Sequence, residues 1–430
     1  MNAGREDIPS GDIVVEGGRL VHVGAPVSPS PPGAQVIDGR GKIAVPGFIN
    51  AHHHLFQSLL RGLSPNENLL QWIESCILAT TPHFRPEDLY WGVRLSLAEC
   101  VESGVTTTID WAYNLHSLEH AAATFEAMRD SGVRVHYAFG PSLLGGNFDL
   151  DLKRLEDFRA LHFGGGRRSG RLTLWAGPGG PNFQPEGRVR EEVECVRGWG
   201  LPLHVHVGEN VAQEPRDALE VLGRCGALGP HLLLAHAIHL RDSDLDLLAS
   251  TGTKVSYNTL SNMRVASGIC RVVEMRARGV DVGLGLDGSA ASDNNDYFAL
   301  MRAALGLQRA RWLRADCLTV EDIVQMATIE GARCLGQDAE VGSLESGKRA
   351  DFLLIEPRTL NFMPSNRFVS QLIFCAQPRN VDTVIVDGQV LKRGGELVGV
   401  EVEELLDRCQ RAAGAVTGKA GLPRDPMFQR

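Results

Sequence analysis

The sequence has no surplus of basic residues: 43 Lys and Arg stand against 52 Asp and Glu, a formal net charge of -9 with the two signs interspersed. Phosphate binding needs a basic face, so no nucleic-acid partner is expected. There is no CxxC pair either. The nine cysteines, Cys76, Cys100, Cys195, Cys225, Cys270, Cys317, Cys334, Cys375 and Cys409, are scattered and odd in number, and read as reduced, mostly buried small apolar residues. No run reaches the roughly 18 apolar residues of a membrane span, and Met1 to Glu6 is not a basic start leading into an apolar stretch. The expectation is a cytoplasmic protein with no membrane partner. Gly145-Gly146 and Gly164-Gly165-Gly166 lack the strand-GxGxxG-helix context, which leaves a phosphate-cradling or redox role without support.

What is present is an ordinary globular composition, 43% hydrophobic and 22% charged over 430 residues, enough for one large domain and a smaller one. Residues 11 to 24 read as a hairpin turning at Gly17-Gly18, and Val36 to Val45 as another pair of short strands, so residues 1–45 form a small antiparallel unit. From Pro46 the pattern changes to apolar β runs alternating with amphipathic helices. Strands are expected at Phe48 to Ala51, Thr106 to Asp110, Val133 to Phe139, Leu172 to Ala176, Leu203 to Val207, Leu232 to His236, Lys254 to Tyr257 and Val282 to Leu286. Eight strands with crossover helices make an α/β chain, a (β/α)8 TIM barrel over residues 46–338. Tyr297 to Arg311 and Thr319 to Leu335 read as two further helices. Short β runs return over 339–400, and the two end pieces together are expected to make one small β domain. Residues 401–430 read as a terminal helix, Glu401 to Ala413 ended by Gly414, and a loose tail.

Chemistry concentrates first in Pro46-Gly47-Phe48-Ile49-Asn50-Ala51-His52-His53-His54-Leu55-Phe56-Gln57. On an extended chain His52 and His54 share a face and His53 points the other way. Alone, the stretch fits a metal site or a buried histidine cluster equally well. In a barrel, however, reactive side chains sit at the C-terminal ends of strands. The fifth strand reads Leu203-His204-Val205-His206-Val207-Gly208-Glu209, the sixth ends in Ala235-His236, and the eighth leads into Leu286-Asp287-Gly288. Imidazoles and a carboxylate at four strand ends describe a Zn²⁺ or Fe²⁺ site with room for a water, and Glu209 lies just past its strand end, within reach of that water. Trp111, directly after strand two, offers a flat apolar face for stacking. Trp72 reads as a helix-packing residue at the mouth, and His239 as structural.

With these motifs in place, the chain resembles the amidohydrolase superfamily, in its cytosine/guanine deaminase and s-triazine hydrolase branch. The resemblance runs through VEGGRLVHVG, VPGFINAHHHLFQSLLRG, HVHVGEN, LLLAHAIHL, SNMRVASGI, GLGLDGSAASDN and VGSLESGKRADFLLIE. It implies a distorted barrel with a β-sandwich domain built from both chain ends, and metal ligands His52, His54, His206 and Asp287. It further implies Glu209 as proton shuttle, with His236 and Asp287 orienting the nucleophile. One divalent ion, Zn²⁺ ahead of Fe²⁺, would lower the pKa of a bound water to about 7 and supply hydroxide to a ring carbon bearing an amino group. The implied partner is a small N-heterocyclic substrate, and the implied assembly a homodimer. His-His-His-Leu-Phe-Gln is closest to deaminases of oxo-purines and pterins such as 8-oxoguanine and isoxanthopterin, with Gln57 a hydrogen-bond partner for the heterocycle. An s-triazine hydrolase expelling chloride or an alkylamine is the alternative, and a non-catalytic scaffold of the same fold is a third reading. Strand seven departs from the branch with Tyr257-Asn258-Thr259-Leu260-Ser261-Asn262, making Tyr257 and Asn258 further substrate-contact candidates. Strand four departs with Gly177-Pro178-Gly179-Gly180-Pro181-Asn182.

Overall fold

The computed structural model describes residues 7–210 and 217–422. Eight parallel strands follow one another in chain order: Phe48–Asn50, Val105–Ala112, Arg134–Phe139, Leu172–Ala176, Leu203–Val207, Leu232–His236, Lys254–Tyr257 and Val282–Leu284. Ala51 N–H donates to Leu284 O (2.8 Å) and Asp287 N–H to His52 O (3.0 Å), which brings the eighth strand back beside the first. The result is the expected barrel. Its strands are buried along nearly their whole length, as parallel strands covered by helices on one face and by each other's side chains on the other must be.

The chain ends build the second layer. The hairpin Asp12–Glu16 and Arg19–Gly24 faces a five-stranded sheet made of Ile43–Pro46, Phe352–Ile355, Val381–Val386, Gln389–Arg393 and Glu396–Leu397. Leu20, Leu344, Ala350, Phe352, Leu354 and Ile385 fill the space between them, so two sheets too small to stand alone share one core. Arg134 from the third barrel strand donates to Asp351 (2.8 Å) and holds the sandwich to the barrel, away from the strand ends that carry the histidines.

Several expected elements change. Val36 to Val45 yields one strand rather than two, because only Ile43–Pro46 finds a partner, in Phe352–Ile355. The helix expected over Thr319 to Leu335 splits into Val320–Ala327 and Ile329–Cys334, turning at Thr328 (φ -131°, ψ -99°) and setting Gly331 against Ile49 of the first strand. The terminal helix runs through Gly414 to Lys419, since Leu405, Cys409, Ala412 and Val416 form a buried stripe whose packing outweighs the roughly 1 kcal/mol cost of a helical glycine. The tail from 423 onward lies outside the described residues. No described helix is long and apolar enough to cross a membrane.

Candidate metal centre and active-site cleft

Four donor atoms converge at the C-terminal mouth of the barrel. His52 Nε2 lies 3.4 Å and His54 Nε2 3.5 Å from Asp287 Oδ1, and His206 Nε2 lies 3.3 Å from His54 Nε2. Ligand atoms about 2.0–2.1 Å from a tetrahedrally held ion such as zinc are separated by about 3.3 Å, so these spacings suit a divalent metal ion. The protonation chemistry agrees. His204 Nδ1 is 2.9 Å from the Leu233 carbonyl, which can only accept, so His204 carries its proton there and offers Nε2 as acceptor. His52 Nδ1, 2.8 Å from His204 Nε2, is therefore the donor, leaving His52 Nε2 as a bare lone pair with no hydrogen-bond partner. His54 is fixed in the same way by the Trp111 carbonyl, 2.8 Å from its Nδ1. Burial pushes the His52 and His206 pKa values well below the ordinary value and lowers that of His54, so all three rings are neutral near pH 7. Asp287, which burial alone would push up, is held well below the ordinary carboxylate range by the cluster of imidazoles around it, His52 first and then His236 and His54. Neutral imidazole lone pairs and a carboxylate facing one point repel one another unless a cation lies between them.

The backbone is bent to this purpose. His236, Ala237 and Asp287 all have positive φ (71°, 49° and 62°), a region costly for residues with a Cβ and concentrated at functional sites. Asp287 is held there by its N–H bond to His52 O, while Leu286 N–H is accepted by Asn50 Oδ1 (2.8 Å) and Asn50 Nδ2 reaches Thr108 (2.9 Å). One side chain thus fixes strands one, two and eight together. Gly285 is needed because a Cβ there would meet Asn258, Ser256 and the His52 Cβ. His236 Nδ1 lies 2.8 Å from Asn262 Oδ1, so its Nε2 faces Glu209 Oε2 (3.5 Å) and Asp287 Oδ2 (3.8 Å).

Above the donor atoms opens a cleft of about 750 Å³, floored by His54, His206, His236, Asp287 and Glu209. One wall is apolar: Leu69 and Trp72 from a short helix, and Ile73 and Ile77 from the π-helix that continues it, Ile73–Leu78. Such segments are rare and cluster at functional sites. The opposite wall is Leu143, Phe148, Asn182 and Phe183, with Trp111 and Tyr113 between. Gln57 and Trp111 stand in the cleft: Gln57 Nε2 donates to Tyr113 OH (2.7 Å), and the Trp111 ring meets His206 edge-on. Tyr257 and Asn258 are not among the lining residues. Tyr257 points outward and accepts from Gln308 Nε2 (3.2 Å), while Asn258 lies beneath the site and accepts from Ser256 Oγ (2.7 Å). His53 faces away to Asn295 (3.0 Å) and His239 caps Ser267 O (2.7 Å). Sequence reasoning missed the roles of Asn50, Tyr113, Asn182, His204 and Asn262. For His204 the signal existed, since it shares a face with His206; for Asn262 it lay in the Ser-Asn pair after strand seven.

The amidohydrolase family model matches residues 43–391. The chain is 33% identical over 428 residues, 95% of both chains, to a 5-methylthioadenosine/S-adenosylhomocysteine deaminase of Symbiobacterium thermophilum. It is 32% identical over 418 residues, 96% of both, to a 5'-deoxyadenosine deaminase of Methanothermobacter thermautotrophicus. In fold it is similar to a zinc-bound adenosine deaminase from Xanthomonas campestris (TM-score 0.83, 22% identity, 94% of this chain and 93% of that one). The named relatives act on adenosine-type nucleosides, in place of the oxo-purines and pterins to which the His52 to Gln57 stretch points.

Proposed function

The chain belongs to the amidohydrolase family, and from that premise we propose that it is a zinc-dependent deaminase removing the exocyclic amine of an adenosine-type nucleoside with an uncharged 5′ end. The observation that carries the reading is the convergence of three neutral imidazoles and a carboxylate, with neighbouring donor atoms 3.3–3.5 Å apart, beside Glu209 under an apolar cleft. Among the described lining residues the only formal charges are the carboxylates of Glu209 and Asp287. Among those described residues a 5′-phosphate would meet carboxylates and no Lys or Arg side chain to offset them.

His52, His54, His206 and Asp287 would hold the ion. When bound, it supplies a water acidified toward neutral pH. His236 Nε2 and Asp287 Oδ2 face each other across 3.8 Å and orient the attacking water, Asp287 taking its proton. Glu209, 3.5 Å from His236, delivers that water's other proton to the ring nitrogen and then passes the one held by Asp287 to the exocyclic amine. The ring carbon gains oxygen as its bond to nitrogen breaks and ammonia leaves. The apolar walls keep bulk water from the ring and strengthen every charge interaction at the floor.

The test is a panel of 5′-deoxyadenosine, 5′-methylthioadenosine, AMP, 8-oxoguanine, isoxanthopterin and chlorotriazines, scored for ammonia, amine and chloride. The expected result is ammonia from the uncharged nucleosides at a kcat/KM well above all others. Turnover confined to free oxo-purines or pterins, or release of chloride or alkylamine, would overturn the proposal.

A further inference from the structure

The segment Gly177–Gln184 after the fourth barrel strand is buried through Pro181 and then delivers two half-buried side chains, Asn182 and Phe183, to the cleft wall. Its shape is fixed from within. Gly180 N–H donates to Gln184 Oε1 (2.8 Å), and Phe183 N–H to Gly180 O (3.1 Å). Gln184 Nε2 donates in turn to Asp149 (2.9 Å) and Glu192 (2.8 Å), tying the segment to the loop that carries Phe148. The Phe148 and Phe183 rings stack at 3.9 Å, 6° from parallel, and a Cβ on Gly179 would fall 2.7 Å from both Phe148 Cβ and its carbonyl oxygen. Two loops are therefore locked into one rigid wall before any ligand arrives.

Within that wall Asn182 has only one orientation. Its Nδ2 donates to the carbonyl of His206 (3.1 Å), an atom that can only accept, so the amide cannot be flipped. Oδ1 is then left buried, without a hydrogen-bond partner. A buried carbonyl oxygen without a donor costs free energy, and in a lined cleft the missing donor is supplied by what binds there.

We propose that Asn182 is a specificity-determining residue, whose Oδ1 accepts a hydrogen bond from an N–H or O–H of the substrate while Phe183, backed by Phe148, presents the adjoining apolar face. The identity of the substrate rests on the deaminase reading above; the role of Asn182 does not. For a nucleoside the donor is either the exocyclic amine or the 2′- or 3′-hydroxyl of the ribose.

The experiment compares the wild type with Asn182→Ala in the full-length zinc protein. The probes are adenosine, 2′-deoxyadenosine, 3′-deoxyadenosine and 6-chloropurine riboside, the last lacking the amine. The reading is kcat/KM, or Kd from quenching of Trp72 and Trp111 fluorescence where turnover is absent. Bound zinc is measured in parallel. The proposal expects unchanged zinc and a loss of about tenfold in the variant for adenosine. One donor-deleted probe should show the same loss in the wild type and no further loss in the variant: a deoxy probe identifies the sugar, the chloropurine the amine. If nucleosides fail but another panel compound is hydrolysed, the nucleoside reading falls, and Asn182 is tested on that compound and its analogue lacking the N–H. Equal losses on every probe, loss of zinc, or no effect of Asn182→Ala would overturn the proposal.

Discussion

His204 offers the sharpest test of how the metal centre is held. It shares a strand face with His206 yet sits one layer deeper, with both nitrogens committed: Nδ1 at 2.9 Å from Leu233 O and Nε2 at 2.8 Å from His52 Nδ1. Burial pushes its pKa down to about 3, so it remains a neutral relay. Replacing it with Ala strands the His52 N–H without an acceptor, a penalty of about 1–3 kcal/mol, and removes the contact that fixes the His52 tautomer. Loss of such an outer partner typically costs about 10–100-fold in metal affinity. The assay is zinc affinity by competition with a chromophoric chelator, for wild type, His204→Ala, His204→Gln and His52→Ala. His204→Gln, whose side-chain oxygen still accepts, is expected to recover part of the loss, and His52→Ala to lose far more than His204→Ala. Wild-type affinity in His204→Ala would refute the relay, and a loss as deep as that of His52→Ala would make His204 a ligand.

Glu209→Gln keeps the cleft's shape and leaves the four donors untouched, so zinc content is expected to hold while kcat falls by about 10²–10⁴-fold, as steady-state ammonia release will show. Gly285→Ala forces a methyl against Asn258, Ser256 and the His52 Cβ, 2.9 Å away, and is expected to lower the unfolding free energy by about 1–3 kcal/mol in urea titration and to weaken zinc binding. Asp110 is pushed up to about 7 by burial, against the hydrogen bond it accepts from Leu55 N–H (2.9 Å). Its folded-state value lies above its unfolded one, so its contribution is present in full below about pH 4 and is lost as pH rises through about 7, a change of about 4 kcal/mol. Asp110→Asn keeps an acceptor for Leu55 and removes the titration. Its stability relative to wild type is therefore expected to rise between about pH 4 and 7, and a flat difference would contradict the assignment.

Much of the barrel was legible because its strands are short apolar runs with buried surroundings. Leu172–Ala176, Leu203–Val207, Leu232–His236 and Lys254–Tyr257 have the bounds expected from the sequence. What failed were boundaries decided by tertiary packing: the turn at Thr328 and the passage of the last helix through Gly414. In the site, residue types at strand ends were readable, but the phase of alternation was not. Ser256 turns inward to Asn258, which sends Tyr257 outward to Gln308, and no periodicity in four residues announces that choice. Asn182 was hidden for a different reason. A Gly-Pro-Gly-Gly-Pro run reads as an unspecified loop, and only the packing of Gly179 on Phe148 turns it into a fixed wall.

The most direct measurement titrates chelator-stripped protein with zinc and follows bound metal and ammonia release from 5′-deoxyadenosine together. The account predicts no activity before zinc is added, and a rise in parallel with occupancy that stops at one ion per chain. Turnover in the stripped protein, or zinc bound at that stoichiometry with no ammonia released, would contradict it.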